Sequence, residues 1–123
     1  MSHIVQIETQ LRDAEAIAAA CRRLNLAPPA QGTFALYSAK ASGLAVALPG
    51  WQYPVVCDLA TGQVQYDNFA GHWGDAAELN RFLQAYAVEK TRLEARKRGH
   101  SVTERTLADG SIRLSIQLSG GAA

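Results

Sequence analysis

The chain has 123 residues, the size of one domain. Of these, 48% are apolar, although 22 are alanine. That supports one core and excludes a disordered chain, a collagen-like repeat and a disulfide-stapled miniprotein. Twelve Lys and Arg against eleven Asp and Glu leave a net charge of +1, too balanced to suggest a polyanion-binding protein.

In chain order, residues 3–9 (HIVQIET) are rich in β-branched types and predict a first strand. Asp13 is placed to cap a helix running to about Asn25, with Ile17, Cys21 and Leu24 at helical spacing. The Ala-Pro-Pro-Ala at 27–30 stops that helix, because proline has no amide hydrogen and restricts the residue before it. Four strand signals follow, at 33–38, 43–50, 53–58 and 63–67. In the second, Leu44, Val46 and Leu48 share one face and leave only Ala45 and Ala47 on the other. A face that small predicts close approach by a helix. Gly62 supplies the positive φ that a tight turn between the last two strands needs.

A second helix begins at Asp75 with Glu78 three residues on, the pattern of a capping box. Leu79, Phe82, Leu83, Tyr86 and Leu93 follow its 3.6-residue period. Arg96, Lys97 and Arg98 suit the negative end of its macrodipole, and Gly99 suits C′. The rest reads as a hairpin across Asp109-Gly110. Its second strand alternates Ile112, Leu114, Ile116 and Leu118 with Ser111, Arg113, Ser115 and Gln117, which predicts one buried face and one wet face. The order β-α-β-β-β-β-α-β-β argues an α+β domain over residues 1–119, with residues 120–123 as a tail. Its sheet should be mostly antiparallel and both helices should cover one face.

The densest chemistry lies between Pro49 and Asp75. Trp51, Tyr53, Tyr66, Phe69 and Trp73 are five of the nine aromatics, interspersed with Asp58, Asp67, Asn68 and His72. Aromatics beside convergent polar groups make pockets and contact surfaces; the plainer reading is that an alanine-rich core needs large side chains. His72 could be an acid, a base or a ligand in its Gly-rich connection, but no metal-ligand spacing accompanies it. No metal and no cofactor are expected. Cys57 beside Asp58 and Cys21 on its helix's apolar face read as buried, reduced core filler. No phosphate-cradling glycine motif occurs. The basic run from Lys90 to His100 reads as a solvated helix end diluted by Glu89 and Glu94, so nucleic acid is not expected as a partner. Acids and amides interrupt the first twelve residues before any apolar stretch develops, and no later run reaches the roughly 20 residues of a membrane span. A cytoplasmic protein with no membrane partner is expected.

Three separated strings stand together in order. Met1-Ser2-His3 leads into Ile7-x-Thr9-Gln10-x-Arg12, then come Phe82-Leu83-Gln84-x-Tyr86-Ala87 and Asp109-Gly110-Ser111-Ile112-x-Leu114. In that order they resemble the family called hypothetical chloroplast open reading frame thirty-five, of plastids, cyanobacteria and other bacteria. The likeness spans nearly the whole chain, is strongest at the two ends and the second helix, and is weaker from Trp51 to Trp73. Members tend to be encoded near an AAA-type ATPase, so the resemblance implies an accessory role and supplies no catalytic residue.

The leading expectation is a non-catalytic protein-binding or accessory subunit. Its anchors are Trp51, Tyr53, Tyr66, Phe69 and Trp73, with Asp67 and Asn68 setting orientation and an AAA-type ATPase as the implied partner. One alternative is a small-molecule-binding protein or small enzyme with a pocket centred on His72, oriented by Asp58 or Asp67. The other is nucleic acid binding through Arg92, Arg96, Lys97 and Arg98.

Overall fold

The computed structural model describes residues 10–36, 39–67 and 74–118. The strand expected at 3–9 and the tail at 120–123 lie outside them. Helix α1 (Ala14–Arg23) is followed by strands β1 (Ala30–Ala35), β2 (Lys40–Val46), β3 (Val55–Asp58) and β4 (Gln63–Gln65). Helix α2 (Ala76–Lys97) then leads into strands β5 (Ser101–Thr106) and β6 (Ile112–Gln117). β1 to β4 form an antiparallel meander in the order β1-β2-β3-β4, and β5-β6 form a separate antiparallel pair. The fold is α+β with antiparallel sheets.

Both helices begin and end as their local chemistry dictates. The Asp13 carboxylate accepts from the Glu15 and Ala16 amides (3.0 and 3.2 Å), and that of Asp75 accepts from the Ala77 amide (2.9 Å). The expected capping box at α2 is only half made, because Glu78 instead pairs along the helix with Arg81 (3.8 Å). At the other ends, Asn25 (φ 58°) and Gly99 (φ 76°) occupy the left-handed C′ position. The following amides bond back in a Schellman pattern, Leu26 to the Cys21 carbonyl and His100 to the Ala95 carbonyl, both at 2.8 Å.

The main core lies between the helices and one face of the meander. Ile17, Cys21, Phe82 and Tyr86 from the helices meet Val46, Val55 and Cys57 from β2 and β3. The expectation about β2 is reversed here. The helices cover the Leu44, Val46 and Leu48 side, where large side chains meet them. Ala41 and Ala45 face the opposite side, packing with Val56, Phe34 and Leu36. The cross-strand pairs Ala45↔Val56 and Phe34↔Ala41 show why: a small residue on one strand makes room for a large one on its neighbour. β2 ends before Leu48-Pro49-Gly50, where the Trp51 amide closes a turn on the Leu48 carbonyl (3.1 Å).

Glycine is required where backbone meets backbone. Gly62 (φ 80°) closes the β3–β4 turn through its amide to the Asp58 carbonyl (2.7 Å), while its own carbonyl accepts from the Leu11 amide (2.9 Å). A Cβ there would stand 2.7 Å from Cβ of Gln10, so the turn is also the seat for the chain entering α1.

Candidate functional site

Of the aromatic segment, Trp51, Tyr53, Tyr66 and Asp67 are described, and each is half-buried. Asn68, Phe69, His72 and Trp73 lie outside the described residues, and with them the centre of the expected histidine pocket. Trp51 is held on three sides. Its indole N–H donates to the Asp75 carbonyl (3.0 Å), and its ring meets Tyr66 edge to face at 5.7 Å. It also lies so close to Gly74 that a Cβ there would come within 2.3 Å of the ring. Trp51 and Tyr66 also pack against the main core. Trp51 therefore joins the turn after β2 to the first turn of α2. Asp58 uses its carboxylate locally, accepting from the Ala60 amide (3.0 Å) in the β3–β4 turn.

Cys21 and Cys57 are free thiols, fully buried in the main core. Loss of solvation, with the neighbouring Cys21 adding to it, pushes Cys57 up to about 12, and burial likewise raises Cys21. Thiols this hard to ionise are inert side chains. Among the described residues no three His, Cys, Asp or Glu side chains are grouped to hold a metal ion, and no helix is long and apolar enough to cross a membrane.

The basic helix end is only partly available. Glu104 of β5 reaches back to the helices, bonding Arg92 (2.8 Å) and taking a two-pronged contact from Arg23 of α1. The Arg23 guanidinium is the main reason that the Glu104 carboxyl sits below its usual range. Lys90 is divided between Asp13 and Glu94, each at 2.9 Å. These bonds lower Asp13 and raise Lys90. The side chains of Arg96 and Arg98 have no ion pair or hydrogen bond among the described residues.

The β5–β6 ribbon carries two surfaces that were not singled out as sites from the sequence. Register places Val102↔Ile116, Glu104↔Leu114 and Thr106↔Ile112 on one face, and Ser101↔Gln117, Thr103↔Ser115 and Arg105↔Arg113 on the other. On the first face Val102, Ile112 and Leu114 are half-buried, but Ile116 is 47% exposed and the adjoining Leu118 73%. The buried face expected for this hairpin is thus half-covered at Val102, Leu114 and Ile112 and open at Ile116 and Leu118. The reason is geometric: the ribbon is tied to the helices at Glu104 and at Gly110, whose carbonyl accepts from Gln84 (3.1 Å), while the other end of β6 stands clear. An open groove of about 420 Å³ lies there, lined by Lys90, Glu94, Ala95, Arg98, Ile116 and Leu118 among others. The signal for this site was in the sequence. The apolar alternation continues to Leu118, which stays 73% exposed.

Comparison with known protein families, with curated proteins and with solved structures finds no match to this chain.

Proposed function

We propose that this chain is a non-catalytic protein-binding module, and that its contact surface is the uncovered end of the β5–β6 face. The observation carrying this reading is the exposure of Ile116 and Leu118 at the mouth of an open groove, in line with apolar residues already committed to the fold. Contiguous exposed apolar surface beside polar residues is characteristic of interaction sites. The charges around the groove define the occupant. Lys90 is already balanced by Asp13 and Glu94, whereas the Arg98 side chain makes no ion pair or hydrogen bond among the described residues and only adds, at longer range, to the field on Glu94. An apolar segment flanked by acidic residues meets both features. The resemblance to the plastid reading-frame family makes an AAA-type ATPase the first partner to try. In this reading Trp51 is a strut for α2, and the aromatic segment acts through the fold.

Affinity purification from the native host, with the wild-type chain and Leu118→Asp as parallel baits, tests the proposal. The expected result is a protein retained by wild type and lost by the variant, with far-UV circular dichroism unchanged because Leu118 lies on the surface. Purified, that protein should bind wild type at least tenfold more tightly than Leu118→Asp, and Arg98→Gln should remove part of the salt dependence. Equal retention of every partner by both baits overturns it.

A further inference from the structure

We infer that the polar face of the β5–β6 ribbon is a second site, independent of the apolar one, and that it binds the phosphate backbone of nucleic acid. Arg105 and Arg113 stand directly opposite each other in the ladder. Facing cross-strand side chains lie within about 5.5 Å at Cβ, and like charges there repel. Both arginines are exposed, and neither side chain has an ion pair or hydrogen bond among the described residues. The acids that could have answered them are engaged elsewhere. Glu104, beside Arg105 in sequence, points to the opposite face and holds Arg23 and Arg92. Asp109 in the turn accepts from the amide and hydroxyl of Ser111 (2.9 and 2.6 Å). The face therefore keeps two uncompensated cations, followed by the pairs Thr103↔Ser115 and Ser101↔Gln117.

A row of guanidinium, hydroxyl and amide groups, with Leu107 beyond its turn end, fits a ligand that presents anionic oxygens along a line. Guanidinium pairs phosphate with two parallel bonds, and hydroxyls donate to the same oxygens. A lipid surface is less well matched, because Leu107 at the turn end is the one large apolar side chain exposed on this face among the described residues, which is little to insert. A two-stranded ribbon is also narrow enough to enter a duplex major groove. Counting charges along the chain misses the site, since Glu104 cancels Arg105 in the sum but points the other way.

The test is fluorescence anisotropy with a labelled 20-nucleotide RNA and a 20-base-pair DNA duplex at 50 and 200 mM salt. The variants are Arg105→Gln/Arg113→Gln and, as a control losing the same charge elsewhere, Arg22→Gln/Lys40→Gln. The expected result is micromolar binding at low salt, weakened at least tenfold by the ribbon variant and less than twofold by the control. The log–log salt slope for the single strand should fall by about 1.4 in the ribbon variant. Thermal unfolding should show the ribbon variant no less stable than wild type, since it relieves a like-charge pair. Absence of binding at 50 mM salt overturns the inference, and so does equal weakening by the control. Arginine-dependent binding to phosphatidylserine vesicles without nucleic acid binding overturns it too, assigning the face to membranes. Leu118→Asp should leave nucleic acid binding intact, which separates this site from the apolar one.

Discussion

At Gly43 an added Cβ would stand 2.4 Å from the Cys57 carbonyl oxygen, with φ at 153°. The obstacle is backbone of the neighbouring strand, which cannot swing aside as a side-chain tip can. Gly43→Ala should destabilise the chain by about 3 kcal/mol in a urea titration. Gly110→Ala meets open space at φ 88° and carries only the conformational penalty, about 1 kcal/mol. Equal losses at the two positions would show that steric contact at Gly43 is not the cause. Gly74→Ala drives a methyl into the Trp51 ring, so the indole must leave both the Asp75 carbonyl and Tyr66. A lowered melting temperature with an altered near-ultraviolet aromatic spectrum is expected. Tyr86, whose hydroxyl donates to the Gln10 carbonyl (3.2 Å) and accepts from the Asp13 amide (3.3 Å), should lose about 1 kcal/mol as Tyr86→Phe.

Among the elements, the β5–β6 ribbon is the one whose stability is borrowed from its neighbours. Isolated two-stranded sheets are marginal in water, and this one rests on three half-buried apolar residues, the Gln84 bond and Glu104. Its amides should exchange with solvent faster than those of β2 and β3, measured by nuclear magnetic resonance. Glu104→Gln should accelerate the ribbon further, by a factor corresponding to about 1 kcal/mol, and leave β2 and β3 unchanged. The pH dependence has the same origin. Hydrogen bonds to Arg23 and Lys90 lower the folded-state affinity of Glu104 and Asp13 for a proton. Their contribution is therefore present above the ordinary carboxylate range and is lost as pH falls through the lowered values. Ribbon amides should lose protection in that acid window in wild type, and the Glu104→Gln ribbon should respond less.

For the whole molecule, the two thiols report on global opening. Cys21 and Cys57 share one core with both helices and the meander, so neither can meet a reagent without disturbing that core. Labelling by an aromatic disulfide reagent should be slow in native buffer and should rise with urea along the unfolding curve. Fast stoichiometric labelling under native conditions would contradict the packing described. Because burial raises Cys57 from 9.0 to about 12, its neutral form favours the folded state, and that advantage disappears as pH rises through this interval. Alkaline unfolding should therefore be shifted to higher pH in Cys57→Ala relative to that variant's own stability at pH 7.

Local chemistry was enough to read Asp13 and Asp75 as caps, Gly99 as a helix end, Gly62 as a turn and the α+β class. Each of these depends on groups within a few residues of one another. The alternation of β6 likewise separated its two faces correctly, since side chains in a strand point by turns to opposite sides. Which side of β2 the helices would cover was not legible, because alternation identifies two faces without saying what packs on either. Nor was the fate of charge: Glu104 looks like a neighbour of Arg105 in the sequence, yet the ribbon turns them to opposite faces. The exposure of Ile116 and Leu118 likewise followed from where α2 ends and how the ribbon is anchored to it. Tertiary structure decided these points because burial and pairing are made between segments far apart in the chain.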